Sequence, residues 1–384
     1  MYVEILKVYR LKYMNNNKLV IGDKTPRESN LELLRIFAMM AIIAHHSVVN
    51  SGVVKEFDFL NPTINTYFLM IWGMWGKTAI NSFILISGYF LCKSTLTWQR
   101  YLKLLAEVYF YSFGIILIFA ITSYEPLTIS KIFKNFFEPL IWVNNDFIAS
   151  FLAFYIFVPV YNKLLNILSE KEHRLLIMGL LLYFTIASTF FFAPSMNEPL
   201  WYATLYMIAA YIRIYPNKWT ESSLIAWITL FSSVLLAICS VAAIMFAVSH
   251  AGMLHIPASV VETISEKPQN FLYWFVSDSN KLLALVVGLS AFLVAKNAPK
   301  FHNKFINTMA AGTFGVLLIH ASSNTMRTWL WQDILNMPSL ATASLWQVLI
   351  ITLSTPIVIF MVCSAIDYLR RIWIERPLMS IINK

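Results

Sequence analysis

Arg35 and His46 stand eleven residues apart in a single apolar run, LELLRIFAMMAIIAHHSVVN. The run is about as long as a helix must be to cross a bilayer. Ionisable groups at such depth are expensive and mark function by default. At about 100° per residue, eleven residues make roughly three turns, so the guanidinium and imidazole share a face, about 16 Å apart along the axis. His45 falls about 80° from that face. The spacing therefore pairs His46, rather than His45, with Arg35.

A second apolar stretch, TMAAGTFGVLLIHASSNTMRTWLW, carries His320 and, seven residues on, Arg327. Read as one straight helix, it puts both within about 20° of one face. A neutral imidazole can take a proton from a hydroxyl, and a guanidinium can hold phosphate through several fixed donors. The combination suits transfer of an acyl group from a phosphate-bearing carrier to an alcohol.

Blander roles compete for the same residues. Arg35 alone could snorkel to the inner interface, and a single buried His320 could be a satisfied core residue. Two helices that each carry an imidazole and a guanidinium point instead to one shared internal site. In GKTAINSFILISGYFLCK, the small or polar Lys77, Asn81, Ser82, Ser87 and Gly88 allow close helix approach. Lys103 and Glu107, four apart, have the spacing of a local ion pair, and Asp278 with Lys281 could pair similarly.

Other chemistries lack their motifs. The chain has no P-loop, Rossmann glycine pattern, zinc-ligand cluster or nucleophile elbow. The reading therefore includes no metal and no tightly bound cofactor. Cys92, Cys239 and Cys363 are far apart in apolar segments and read as small buried hydrophobes.

The elements that must position these groups follow from composition. Of 384 residues, 58% are hydrophobic and only 13% charged, against about 25% charged in soluble domains. Apolar stretches long enough to span lie at about 31–50, 75–92, 101–122, 147–166, 175–193, 199–215, 223–248, 271–295, 308–332 and 345–369. Ten spans with a cytoplasmic N-terminus leave only Lys55, Lys131, Lys134 and Lys267 in external loops, which is the charge bias that sets orientation. The same bias accounts for the net charge of +9 without a nucleic-acid partner. The expected fold is an all-α integral membrane bundle of about ten transmembrane helices with both termini cytoplasmic. Residues 1–26 form a basic cytoplasmic extension without a secretory leader, and 27–384 form the membrane domain. KIFKNFFEPLI, near 131–141, is too short to span and reads as an interfacial helix or packed loop.

With these residues in place, the chain resembles the membrane acyltransferase-3 family, whose first helix carries an arginine, ten residues and a histidine. Arg35 and His46 match that pattern. SFILISGYF, with Ser87, Gly88 and Tyr89, resembles the family's next signature. FGVLLIH ending at His320, RIYPNK after the sixth helix and IDYLRRIWIERPL near the end also fit. The resemblance covers about residues 28–380. One departure is Asp146-Phe147, where family members often have Trp-Phe.

The resemblance implies O-acylation, usually O-acetylation, of an extracytoplasmic glycan such as exopolysaccharide or O-antigen. Acetyl-CoA would be the donor substrate, and the setting a bacterial plasma membrane. In that reading His46, Arg35 and His320 are catalytic, with His46 as general base or, alternatively, a transient acyl carrier, and Arg35, Arg100 and Lys103 hold the acyl-CoA donor. Arg327 completes the polar cavity. Expected partners are the acyl-CoA, a glycan or lipid-linked saccharide acceptor, and membrane lipids. The rival reading is a transporter or flippase for a glycan or small anion that uses the same polar residues as a pathway.

Overall fold

A computed structural model of the chain describes residues 28–144, 146–193 and 196–377. The basic extension expected at 1–26 lies outside them. All regular structure among the described residues is helical. Helix α1 (Ser29–Val49) is followed by α2 (Ile64–Gly73) and α3 (Gly76–Leu91), then α4 (Trp98–Ile121) and the short α5 (Ile129–Ile141). Next come α6 (Phe147–Ile156), α7 (Val158–Ile167), α8 (Glu170–Leu181), α9 (Glu198–Ile214) and α10 (Ser223–Ser249). The chain continues through α11 (Leu282–Asn297), α12 (Lys304–Ala310), α13 (Thr313–His320), α14 (Asn324–Thr328) and α15 (Leu345–Arg370).

Six helical segments among the described residues are long and apolar enough to cross a membrane, or up to eight if each bent pair counts as one span. The sequence pointed to ten. Nine of the ten apolar stretches fall largely on helix, but in the stretch 271–295 the residues 272–281 form turns and the helix starts only at Leu282, and two helices are short. Helix α11 has 16 residues, about 24 Å of rise, against a hydrocarbon core of about 30 Å. Helix α9 has 17 and opens on Glu198 and Pro199. In the other direction, INTYFLMIWG belongs to a span, because α2 and α3 together form a 28-residue segment, Ile64–Leu91.

The bent pairs have local causes. α6 passes into α7 with a 48° bend, and Pro159 in the first turn of α7 removes a backbone donor there. The stretch 308–332, expected as one helix, is instead broken by 94° between His320 and Asn324. Ser323 is the reason the new helix starts where it does. Its Oγ accepts the Met326 amide at 3.0 Å, a normal N-cap.

Close approach in the centre is made by small residues. α3 packs against α1, α9 and α11. A Cβ placed on Gly88 would lie 3.0 Å from the Tyr206 Cα on α9, so only glycine permits that crossing. Asn81 donates to the Ser279 carbonyl at 2.7 Å, and Ser82 donates to Gly288 O at 3.0 Å. The expectation that Asn81, Ser82 and Gly88 serve close packing is met. On the outside, α10 and α15 expose apolar side chains such as Phe231, Leu235, Trp346 and Ile350, as lipid-facing helices do.

Candidate active site

The unbroken α1 carries both Arg35 and His46, and α13 brings His320 to meet it. His46 Nδ1 and His320 Nε2 are 3.1 Å apart, with ring centroids 5.2 Å apart. His320 is fully buried. Its Nδ1 lies 2.6 Å from the Val316 carbonyl, one turn back on its own helix. A carbonyl only accepts, so Nδ1 of His320 carries a proton, and in the neutral ring Nε2 must then accept. His46 therefore donates from Nδ1, which leaves its Nε2 with a lone pair. Among the described residues nothing hydrogen-bonds to that Nε2, and the His46 side chain is only partly buried. The pair is thus a directed relay: a backbone carbonyl fixes one ring, that ring fixes the next, and the last nitrogen is a free base.

His45 has a different job. Its Nδ1 lies 2.5 Å from Gly73 O, and its ring fills the space that a Cβ on Gly76 would need. It is wedged at the junction of α2 and α3. The separation of the two adjacent histidines by helical angle holds in three dimensions.

The turn after His320 opens a cavity of about 490 Å³ between α4, α5 and the 321–327 segment. Arg327 lies on its wall, as do Ser322, Asn324 and Asp146. The expectation that His320 and Arg327 share a face of one helix fails, because the 94° break stands between them. The two remain neighbours by another route, with Arg327 close enough for its charge to act on both His46 and His320. Asp146, the departure noted in the sequence, caps α6: its Oδ1 accepts Ile148 N at 2.8 Å and Ala149 N at 3.0 Å.

A second cavity, of about 440 Å³, lies at the other end of α4 and α12 and is lined by Lys103, His302, Lys304, Arg371 and Arg376 with Glu375. Between the cavities sits a cluster of buried charge. Asp367 is fully buried. It accepts from Tyr111 Oη at 2.9 Å and from Arg370 Nε at 3.0 Å. Its other oxygen is 2.9 Å from Arg371 Nε; that contact is an ion pair without the alignment of a hydrogen bond. Arg370 also pairs with Glu107 at 3.1 Å and Glu375 at 3.0 Å. Asp367 packs directly against Gly312 and Gly315, at the start of α13.

Two local pairs expected from spacing are replaced by distant ones. Lys103 reaches Glu375 at 2.6 Å rather than Glu107, because Glu107 is taken by Arg370. Asp278 pairs with Lys77 at 3.0 Å. Lys281 instead donates to Ser188 O at 2.7 Å and lies 3.9 Å from the Trp274 ring centre.

The three residues assigned to the donor are not brought into one place. Lys103 lines the basic cavity. Arg100 is exposed and donates to Thr95 O at 3.0 Å. Arg35 is 3.0 Å from the buried Glu32 carboxylate and 5.8 Å from the Phe83 ring centre. Glu32, Asp367 and Arg370 are the residues the sequence reading missed. The IDYLRRIWIE segment held the signal for the last two, since one carboxylate, Asp367, stands three residues ahead of Arg370 and four ahead of Arg371, and charges in an apolar helix need partners.

The sequence profile of the acyltransferase-3 family, described as an acyltransferase domain, matches residues 28–364. Neither a curated protein nor a solved structure gives a match to the chain. The matched region takes in the arginine-to-histidine helix, the Ser-Gly-Tyr segment and the helix that ends at His320, and it covers most of the described bundle. On that match the chain belongs to the acyltransferase-3 family of membrane acyltransferases.

Proposed function

We propose that the protein transfers an acetyl group from acetyl-CoA, arriving at the basic and cytoplasmic side, to a hydroxyl of an extracytoplasmic glycan. The setting is a bacterial plasma membrane, and the acceptor is a free or lipid-linked saccharide of the cell envelope. The single observation that carries this reading is the free lone pair on His46 Nε2, held by the His320 relay. A lone pair fixed in direction is what a general base needs.

The step balances as follows. The acceptor hydroxyl gives its proton to His46 Nε2 while its oxygen attacks the thioester carbonyl carbon. The tetrahedral intermediate collapses with loss of the carbon–sulfur bond, and the leaving thiolate takes up the proton from the imidazolium. His320 accepts the His46 Nδ1–H throughout, so the ring neither flips nor exchanges tautomer. Arg35, with Arg100 and Lys103 on the donor's route, supplies guanidinium and ammonium donors for phosphate and carbonyl oxygens. The basic cavity beside Lys103 suits the polyanionic end of the donor.

Purified protein in vesicles, given labelled acetyl-CoA on one side and a glycan acceptor on the other, tests the reading. Release of CoA together with label on the glycan is the expected result. Glycan movement with no CoA release would make the protein a transporter instead.

A further inference from the structure

The cavity beyond His320 holds a guanidinium that makes no ion pair among the described residues. Its wall carries Lys131, Lys134 and Arg327 against Glu125, Glu138 and Asp146. Lys131 pairs with Glu125 at 2.6 Å and Lys134 with Glu138 at 3.8 Å. Asp146, whose charge reaches Arg327 without coming within ion-pair distance, accepts the α6 backbone amides on its Oδ1. Among the described residues no carboxylate lies within ion-pair distance of Arg327. Its one hydrogen bond goes from Nη1 to the Asn324 side chain at a long 3.3 Å.

Two polar atoms there are buried and unmatched: Arg327 Nε and Ser322 Oγ. A buried guanidinium donor left unpaired is costly, and native structures keep few such groups. Both side chains line the same cavity, next to the turn that ends at His320. A planar fork of guanidinium donors with a hydroxyl beside it matches carboxylate or phosphate oxygens.

We infer that Arg327 and Ser322 form a subsite for an oxyanion carried by the acceptor. The acceptor class is therefore an acidic saccharide, with a carboxylate on a sugar, or a saccharide held on a carrier phosphate. The subsite lies past the 94° break that follows His320, near enough for the Arg327 charge to act on both histidines, so an anion anchored there would bring a neighbouring hydroxyl toward the imidazole pair. This inference rests on the acyl-transfer reading for its purpose, but not for its test.

The test is binding to full-length protein in nanodiscs with no acetyl-CoA present. The probes are a glucuronate-containing tetrasaccharide, its all-glucose counterpart and geranyl phosphate. The wild-type protein should bind one of the two anionic probes and discriminate against the neutral one. The tetrasaccharide binding better identifies the sugar carboxylate, and geranyl phosphate binding better identifies the carrier phosphate. Arg327→Gln should weaken the anionic probe about 10- to 100-fold, the loss expected for a charge-assisted contact. Arg327→Lys keeps the charge and should recover part of that loss, and Ser322→Ala should weaken binding less than Arg327→Gln. Gel filtration of the Lys and Ala variants guards against misfolding. Equal binding of neutral and acidic saccharides with no uptake of geranyl phosphate, or full anion affinity in a folded Arg327→Gln protein, overturns the subsite. Failure of acyl transfer in the wild-type protein would leave the binding result standing, and loss of the subsite would leave acyl transfer standing.

Discussion

Replacing His320 separates a directed relay from a mere pair of polar rings. His320→Ala removes the acceptor 3.1 Å from His46 Nδ1 and leaves that N–H without a partner inside the bundle. An unsatisfied buried donor costs about 1–3 kcal/mol, so the His46 ring is released toward other rotamers and tautomers. If the productive orientation loses that much, turnover falls roughly 5- to 150-fold. Removing the base itself by His46→Ala should cost more, on the order of 10²–10⁴. His320→Gln supplies a carbonyl oxygen that can take the His46 proton, and should lie between wild type and His320→Ala. The assay is CoA release from acetyl-CoA at saturating acceptor, on protein that elutes as a single species and keeps its helical circular dichroism. Wild-type turnover in His320→Ala, with His46→Ala inactive, would refute the relay and make His320 a packing residue.

Four further outcomes are expected. Arg35→Ala should weaken acetyl-CoA binding by about 1.5–3 kcal/mol, one to two decades, and Arg35→Lys by less; unchanged affinity by calorimetry would leave Arg35 as the partner of Glu32 alone. Gly315→Ala places a methyl 2.5 Å from the Asp367 carboxyl carbon, which Arg370, Arg371 and Tyr111 pin in place. Overpacking of this kind costs about 1–3 kcal/mol, and an unchanged thermal midpoint would show that α13 can shift away. The Lys131 ammonium beside Glu125, with the Thr325 hydroxyl, holds its carboxyl below the ordinary 4.5. Its contribution is therefore present above about pH 4.5 and lost as pH falls through the lower folded value. Glu125→Gln and wild type should differ in thermal midpoint at pH 7 and converge in acid, and a constant gap would exclude the linkage. Finally, an impermeant thiol reagent on intact cells should label Lys131→Cys and not Lys300→Cys, and the reverse pattern would invert the topology drawn from the lysine and arginine bias.

Much of the site could be read from residue spacing. The eleven-residue step from Arg35 to His46 needs only an unbroken helix, and α1 is one; on it His46 meets His320 while His45 is held at Gly73 O. The apolar runs located most of the long helices because bilayer depth and helical rise set their length, but they left out α2, which joins α3 in the span Ile64–Leu91. What failed has one physical origin: helical periodicity assumes that the helix continues and that charges find partners nearby. Ser322-Ser323-Asn324 is a cluster of turn and cap residues, and reading it as such would have ended the helix at His320 and removed Arg327 from its face. Lys103 and Glu107 have ideal local spacing, yet Glu107 faces a buried Arg370 brought in from α15. Interactions of that range are set by packing order, which periodicity does not encode.

The cluster between the two cavities has an electrical consequence. In the proposed reaction, with acetyl-CoA on one side of the membrane and the glycan on the other, the path between them must not also conduct ions. Lys103, Arg370 and Arg371 against Glu107, Asp367 and Glu375 make three positive and three negative groups, linked by contacts of 2.6–3.1 Å. Each uncompensated charge moved across the membrane couples to the potential by about 2.3 kcal/mol per 100 mV. A cluster whose formal charges cancel gives the field no net charge to pull on. On the proposed function such a cluster serves as insulation: the acyl group passes while the transmembrane voltage is held.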